Sequence, residues 1–389
     1  MDTGWEVYSK MVLKQLEDLG NSMNGLRREI QELKSNIMKE SRTIQVHIPE
    51  SYKNSNKKYP VLYLTDGPSQ FHHTVGTVNF LARNNRIPEM IIVGVANTKR
   101  TRDLTPTVRD VNRENFADGG GADKFLSFFE KELIPLIENT YRTQPFRVFS
   151  GHSFGGIFAI NAFMKKPELF NAFISISPSL WWDAERLIEE APVYFTQNQK
   201  HNSTLFVTMA AEGERMVAPY KKFIKVMKAN SDEDGKWAAK EFDDEDHGST
   251  VLRSQYFGLL HTWKGWHVSR ELINQGLPAL KSHFDMLSKR FAYTVQIPEA
   301  MINNVGYQTL GKGEHEQAIK IFKYNIDLYP NSANVYDSLG DAFEAKGDFT
   351  AANKSYAKAL SYAADNDPNK AFFKANMERS RLKMSKISE

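Results

Sequence analysis

The sequence predicts an α/β fold with a mostly parallel central sheet, preceded by a coiled-coil-like helix and followed by a module of helical repeats. Three observations predict this arrangement: a heptad spacing of apolar residues near the N-terminus, short apolar runs that alternate with helical stretches, and a 34-residue repeat near the C-terminus. A chain of 389 residues exceeds what one hydrophobic core usually supports. We therefore place three segments at residues 1–39, 40–292 and 293–389.

Apolar residues in the N-terminal segment follow the heptad spacing. They are separated alternately by four and three positions and comprise Val12, Leu16, Leu19, Met23, Leu26, Ile30, Leu33 and Ile37. This spacing is typical of a coiled-coil seam, and isoleucine followed by leucine in the later heptads favours a parallel dimer. An amphipathic helix folded onto its own domain is the alternative. We expect a homodimer formed through this helix.

Short runs of β-forming residues in the central segment predict the strands. They cover residues 43–48, 61–65, 90–95, 147–150, 173–177, 205–209 and 238–242. Several are apolar on both faces, as expected of parallel strands that helices cover on two sides. Helical periodicity over residues 123–141 and 155–164 completes the alternation.

The C-terminal segment repeats at 34 residues. Small, alanine and aromatic residues recur in matched pairs: Gly306 and Gly340, Ala318 and Ala352, Phe322 and Tyr356. These residue types allow paired helices to pack closely, and the pattern resembles the tetratricopeptide repeat. A capping helix is expected over residues 368–383. Either a groove that binds a protein partner or a module that buttresses the preceding domain fits this pattern.

Composition restricts the class of protein. The net charge is +3, from 50 basic and 47 acidic residues without a long basic run, which argues against a nucleic-acid binder. No apolar run of about 18 residues could span a membrane, and the polar N-terminus lacks the pattern of a signal peptide. We expect the cytoplasm, or the periplasm if the natural N-terminus carries a signal. The absence of cysteine excludes disulfides and thiolate metal sites.

Ser153 lies in the sequence Gly151-His152-Ser153-Phe154-Gly155, between a predicted strand and a predicted helix. A G-x-S-x-G sequence in this context is typical of the nucleophile turn of an α/β-hydrolase, where glycines allow a tight turn and the hydroxyl projects. The N-terminus of the following helix favours developing negative charge. We predict Ser153 as a catalytic nucleophile.

A serine nucleophile needs a base and an acid, and in this fold both follow it in the chain. His247, in the loop after the strand at 238–242, is the predicted base. The acid is expected just beyond the strand at 205–209, where both Glu212 and Glu214 could fix the imidazole tautomer. This chemistry needs no metal and no organic cofactor.

Several short motifs occur together in the central segment. They are RT at 42–43 leading into PESY at 49–52, YPVLYLTDG at 59–67, RDLTP at 102–106, GHSFGG at 151–156, SPSLWW at 177–182 and HGS at 247–249. Jointly they resemble the esterase family that includes S-formylglutathione hydrolases and siderophore esterases of the enterobactin and salmochelin type. The resemblance implies hydrolysis of a small-molecule ester, with Ser153 as nucleophile, His247 as base and Glu214 rather than Glu212 as acid.

The resemblance also raises a question about the oxyanion hole. In related enzymes the residue after the Asp-Gly of the first loop donates its backbone N–H to the oxyanion, and here that residue is Pro68, which has no N–H. Phe154 is expected to supply one donor. Ser69, or Gly67 after a local rearrangement, is expected to supply the other.

Three side chains are candidates for the substrate pocket. Trp181 and Trp182 follow a Ser-Pro turn at the end of a predicted strand, where they would either stack on a flat acyl group or belong to the core. Arg102 would either line the pocket or pair with Asp103. Two other functions fit the same sequence: acyl transfer by the same triad, and a scaffold assembled through the coiled coil and the repeats.

Overall fold

The structure, a computed structural model, describes residues 28–106, 108, 117–197, 202–230 and 236–386. Contacts divide the chain into two units, Met1–His267 and Val268–Glu389. This division lies before the helix Leu277–Phe291. The boundary expected from the sequence, at 292/293, lies after it.

The first unit is built on a mixed sheet. Its strands, within the described residues, are β1 Arg28–Ser35, β2 Glu40–His47, β3 Tyr59–Leu64, β4 Ile91–Val95, β5 Thr143–His152, β6 Ala172–Ile176, β7 Thr204–Ala210 and β8 Trp237–Phe242. Their spatial order is β1-β2-β4-β3-β5-β6-β7-β8. Strands β3 to β8 run parallel, whereas β1 and β2 pair antiparallel at one edge. The predicted α/β fold with a mostly parallel sheet is confirmed.

Helices cover both faces of this sheet. They are α1 Gly67–Arg83, α2 Arg100–Leu104, α3 Ala122–Phe128, α4 Ile134–Thr140, α5 Phe154–Lys165, α6 Arg186–Gln197, α7 Glu214–Asn230 and α8 Thr250–Thr262, with a π-helical turn over Phe129–Leu133 and 3-10 turns over Glu50–Asn54 and Trp182–Glu185. Every residue of β3, β4 and β6 is buried, which explains why these strands are nearly continuous apolar runs. Because the strands are parallel, the loops that follow them gather at one edge of the sheet.

Residues 28–35 form strand β1, so the helix predicted over residues 1–39 is wrong in this part. The strand pairs antiparallel with β2, with Leu33 opposite Arg42. Its side chains from residue 31 onward alternate between more and less exposed positions, a period of two that suits an edge strand. Residues 1–27, which carry the first part of the heptad seam, lie outside the described residues. Dimerisation through them stays a prediction.

The second unit is helical. Its helices are α9 Arg270–Asn274, α10 Leu277–Phe291, α11 Glu299–Gly311, α12 His315–Leu328, α13 Ala333–Lys346, α14 Phe349–Tyr362 and α15 Lys370–Ser385. A Cβ atom at Gly306 would lie 2.4 Å from the ring of Phe322, and one at Gly340 would lie 2.4 Å from the ring of Tyr356. The 34-residue recurrence is therefore visible as one close glycine–aromatic contact made twice.

Helix α15 lies where the sequence predicts a capping helix, and it packs against α14. The assignment of the module to the tetratricopeptide repeats, and a protein partner for it, stay predictions. Within the described ranges, no helix combines the length and the apolar character needed to cross a membrane.

Candidate active site

Ser153 occupies the turn between β5 and α5. Its backbone has φ 60° and ψ −111°. Residues other than glycine rarely adopt this conformation, and it is often found at functional sites. The chain on either side approaches itself closely, since a Cβ atom at Gly151 would lie 2.1 Å from the carbonyl oxygen of Gly155. The backbone N–H of Ser153 donates to the carbonyl of Ile176 at 2.9 Å. The tight turn between a strand and a helix that the sequence predicts is therefore present at Ser153, and its role as nucleophile stays a prediction.

His247 is paired with Glu212. The ring atom Nδ1 lies 2.7 Å from Oε2 of the carboxylate, and the glutamate side chain is 6% exposed against 42% for the histidine. Strands β7 and β8 are parallel neighbours, so the loops after them lie side by side. The backbone N–H of Ala211 joins the two loops by donating to the carbonyls of Phe242 at 3.1 Å and Glu245 at 3.0 Å.

Glu214 does not pair with His247, so the assignment of the acid that the resemblance favours is wrong. Glu214 is the first residue of α7, and its side chain is exposed. Acidic residues are favoured in the first turn of a helix, which accounts for a glutamate at this position. Glu212, the other candidate from the sequence, precedes the helix and lies in the loop that faces His247.

The environment of Glu212 keeps its carboxylate ionised. Burial by itself raises the pKa of Glu212, but the hydrogen bond to His247 and the proximity of the Ser177 hydroxyl outweigh burial and leave the pKa below its usual value. An ionised carboxylate against Nδ1 favours the tautomer in which Nδ1 carries the proton. The Nε2 atom then keeps a lone pair that can accept a proton from the Ser153 hydroxyl.

The ring of His152 packs against the ring of His247, with centroids 4.5 Å apart. Burial is the main cause that lowers the pKa of His152 to about 4, and the neighbouring His247 lowers it further. His152 is therefore neutral at pH 7. It adds no positive charge beside an imidazole that must itself take up a proton.

The loop after β3 faces the Ser153 turn from the other side. A Cβ atom at Gly155 would lie 2.5 Å from Oγ1 of Thr65, which shows how closely the loop approaches. The backbone N–H of Ser69 donates to the carbonyl of Asp66 at 3.0 Å, inside the first turn of α1. Ser69 is therefore wrong as the second oxyanion donor, and the role of Gly67 stays a prediction.

Phe154, the other predicted donor, is the first residue of α5 and directly follows Ser153. Its ring lies 6.0 Å from that of Trp181 and 5.4 Å from that of Trp182. Trp182 is buried and belongs to the core. Trp181 is half-buried, its Nε1–H donates to Sδ of Met216 at 3.0 Å, and the Arg215 guanidinium lies 3.8 Å from its ring centroid. Of the two tryptophans, Trp181 stays the pocket candidate.

Arg102 takes the structural alternative. Its guanidinium bonds to Glu40 at 2.6 Å and to Asp103 at 2.7 Å, and the buried Arg42 bonds to the same aspartate at 2.6 Å. These contacts hold α2 against β2. They raise the pKa of Arg102, chiefly through the hydrogen bond to Glu40. Arg102 is thus tied into an ion-pair network instead of being held ready for a substrate.

Two residues beside Ser153 were missed by sequence reasoning. Oγ of the buried Ser179 lies 3.2 Å from Oγ of Ser153. Arg100 donates to the Asp66 carboxylate and to the carbonyl oxygen of His152. Both residues follow the carboxyl end of a parallel strand, β6 for Ser179 and β4 for Arg100. That position is the signal which could have found them, because functional groups gather at this edge of parallel sheets.

No metal centre is apparent in the part of the chain that the structure describes. Groups of three or more histidine, aspartate and glutamate side chains that could hold a metal ion do not occur there. The Glu212–His247 pair offers only two such side chains.

Two relatives whose names state an activity match part of the chain. The ferri-bacillibactin esterase BesA of Bacillus subtilis (strain 168) is 31% identical over 174 residues, which cover 39% of this chain and 59% of that protein. The siderophore enterobactin esterase of Emericella nidulans is 28% identical over 252 residues, which cover 52% of this chain and 81% of that protein. The chain thus spans 59% of the length of the Bacillus relative.

A solved structure gives a similar result. An IroE-like serine hydrolase from Shewanella oneidensis is 26% identical, with a TM-score of 0.68 and coverage of 78% of this chain and 100% of that one. The Esterase family model matches residues 35–273, more than half of the chain. The chain therefore belongs to the Esterase family.

Proposed function

We propose that the protein hydrolyses carboxylic esters through an acyl-enzyme, with Ser153 as nucleophile, His247 as base and Glu212 as the acid that orients it. The observation that carries this proposal is the 2.7 Å contact between His247 and Glu212, at the edge of the sheet from which the strained Ser153 turn also projects. The names of the relatives support ester hydrolysis as the reaction class.

In this mechanism Nε2 of His247 takes the proton from the Ser153 hydroxyl while the oxygen attacks the ester carbonyl. The developing oxyanion is stabilised at the N-terminus of α5, where Phe154 lies, and by the turn at Gly67. The protonated His247 then gives its proton to the leaving alcohol. Water activated by the same histidine hydrolyses the acyl-enzyme and releases the acid.

Siderophore-like esters are the substrate class we propose. The two relatives described above are named as esterases of ferri-bacillibactin and enterobactin. On this chain, the half-buried ring of Trp181, next to Phe154, offers an aromatic surface beside the nucleophile for a flat acyl group.

A serine-directed fluorophosphonate probe tests the nucleophile. We expect it to label the wild type and the variant Ser361→Ala, which changes an exposed serine of α14, but not Ser153→Ala. Labelling that persists in Ser153→Ala, or a folded wild type that takes no label, would contradict the proposal. Relative rates on p-nitrophenyl esters and on catechol-bearing lactones then test the substrate class. Adding an alcohol acceptor separates hydrolysis from acyl transfer.

A further inference from the structure

Three loops meet at the guanidinium of Arg100. This residue begins α2, after β4. Its Nε–H donates to Oδ1 of Asp66 at 2.7 Å, and its Nη2 donates to Oδ2 of Asp66 and to the carbonyl oxygen of His152, both at 3.2 Å. The guanidinium carbon also lies 5.2 Å from the ring centroid of Phe154. One side chain thus joins the loop after β3 to the residues on both sides of Ser153.

Asp66 needs such support because of its backbone. It has φ 56° in the left-handed region, where a residue with a side chain is strained, and it immediately precedes Gly67. Its side chain is 10% exposed, and the carboxylate accepts a third hydrogen bond, from Nδ2 of Asn97. A planar guanidinium that binds both carboxylate oxygens fixes the orientation of the turn more firmly than an ammonium does.

The placement of the Asp66–Gly67 turn matters because the next residue, Pro68, has no backbone N–H to donate. In the proposed mechanism the oxyanion is stabilised from opposite sides of Ser153, at the start of α5 and at the Asp66–Gly67 turn in the loop after β3. A displacement of about 1 Å between reacting groups costs on the order of 100-fold in rate. A shielded carboxylate without its cation would also repel the negative charge that develops on the substrate.

We infer that Arg100 is a positioning residue for ester hydrolysis: it holds the Asp66–Gly67 turn against the Ser153 turn and neutralises the Asp66 carboxylate. The inference rests on the proposed function. It concerns a residue that need not touch the substrate, so its signature is a change in kcat rather than in KM.

The first test replaces the guanidinium with a neutral side chain of similar length. In Arg100→Met we expect kcat on a p-nitrophenyl ester to fall on the order of 100-fold, with KM changed by less than about threefold. The kcat of Arg100→Lys should lie between those of Arg100→Met and the wild type, because one ammonium cannot bond to both Asp66 and His152 with the same geometry.

Arg147 provides the matched control. It also bonds to a backbone carbonyl, that of Leu169 at 2.7 Å, and to a carboxylate, that of Glu138 at 2.7 Å. Its side chain is 21% exposed, compared with 36% for Arg100. It lies on β5 before the strand reaches the Ser153 turn. We expect Arg147→Met to lower the melting temperature while leaving kcat within about threefold of the wild type.

Two further measurements separate positioning from a merely structural role. Millimolar ethylguanidinium should raise the kcat of Arg100→Ala about tenfold, and it should not affect the kcat of the wild type. The double variant Asp66→Asn/Arg100→Met should be faster than Arg100→Met, because the unpaired carboxylate is gone. A double variant no faster than Arg100→Met would overturn the neutralising role.

The positioning role is overturned if Arg100→Met keeps kcat within threefold of the wild type, if its loss appears only in KM, or if Arg147→Met loses as much kcat. These outcomes differ from failure of the proposed function. That failure shows as a wild type without fluorophosphonate labelling, or as Ser153→Ala with full activity. A labelled, active wild type with an unaffected Arg100→Met overturns the positioning role alone.

Discussion

Glu212 in the first unit and Asp337 in the second are both carboxylates shielded from water, yet their pKa values move in opposite directions. Burial raises the pKa of Glu212, but the hydrogen bond to His247 and the proximity of the Ser177 hydroxyl outweigh it and lower the pKa. Asp337 accepts a hydrogen bond from the amide of Asn376 at 2.9 Å, and burial dominates and raises its pKa to about 6. The chemistry of the partner, more than the degree of burial, decides which form of a shielded acid is stable.

A third acid, in the same helix as Asp337, supports this conclusion. Glu344 bonds to Arg379 at 2.8 Å and to Lys383 at 2.7 Å, and these contacts, Arg379 first, hold the pKa of Glu344 at about 2. The charges of the second unit thus fasten α15 to α13. In the first unit, a comparable pairing orients a base beside Ser153.

The largest expected effect tests the chemical role of the first acid. In Glu212→Gln the amide keeps the shape but loses the charge that stabilises the imidazolium, and it can favour the wrong imidazole tautomer. We expect kcat for ester hydrolysis to fall on the order of 10³- to 10⁴-fold, with the melting temperature little changed. Steady-state kinetics and thermal unfolding measure the two quantities.

Glu214→Gln is the matched control for this change, since it alters an exposed glutamate two positions along the chain. Its kcat should stay within about twofold of the wild type. Equal losses in the two variants, or a loss confined to Glu214→Gln, would refute the assignment of Glu212 as the acid.

The second prediction tests whether the second unit contributes packing without chemistry. In Gly340→Ala the new methyl group would meet the ring of Tyr356 at 2.4 Å, and that ring cannot move easily because its hydroxyl bonds to Asp341 at 2.7 Å and to Glu344 at 2.8 Å. We expect the free energy of unfolding to fall by about 1–3 kcal/mol in denaturant titrations, without a change in kcat.

Gly311→Ala is the control for this second change. A Cβ atom at Gly311, the last residue of α11, would meet nothing within 4 Å. Its effect should be within about 0.5 kcal/mol, or stabilising by up to about 1 kcal/mol. Similar losses in both variants would show that the glycine–aromatic contact is not what stabilises the module.

The smallest expected effect concerns the pH dependence of Asp337. Because its pKa is raised in the folded protein, the folded state binds more protons than the unfolded state between about pH 4 and 6, and stability falls as the pH rises through this range. Asp337→Asn removes this penalty and keeps an oxygen for Asn376. We expect its melting temperature at pH 7 to exceed the wild-type value by about 2–4 °C, and the difference to vanish near pH 4.

If Asp337→Asn lowers the melting temperature at pH 7, the shielded aspartate stabilises the module in its charged form and the contrast with Glu212 fails.

The sequence predicts the centre of the sheet well because β3, β4 and β6 are buried along their whole length and need apolar side chains on both faces. It fails at β1, an edge strand with few apolar residues, whose Ile30 and Leu33 also fit a heptad spacing. A few apolar positions on a mostly polar segment do not distinguish a period of two from one of three and a half. The helix predicted there is the result.

The site is predicted in part for a similar reason. Ser153 and His247 each lie in a short motif that follows a predicted strand, β5 for Ser153 and β8 for His247. Glu212 and Glu214 lie two residues apart, and which one faces His247 depends on where α7 begins. Arg100 belongs to none of the motifs. Its contacts with Asp66 and His152 arise only when three strands are assembled into a sheet, so no local sequence pattern indicates them.

The strand order has a consequence for how the activity would be lost. His247 follows β8, which pairs only with β7 among the described strands and therefore lies at the margin of the sheet, whereas Ser153 follows β5 near its centre. Margins open by local fluctuations that cost less free energy than global unfolding. His247 therefore lies in a part of the molecule that is less protected from local unfolding than the part that holds Ser153. Local unfolding at β8 would deprive Ser153 of its base and abolish activity while the rest of the sheet stays folded.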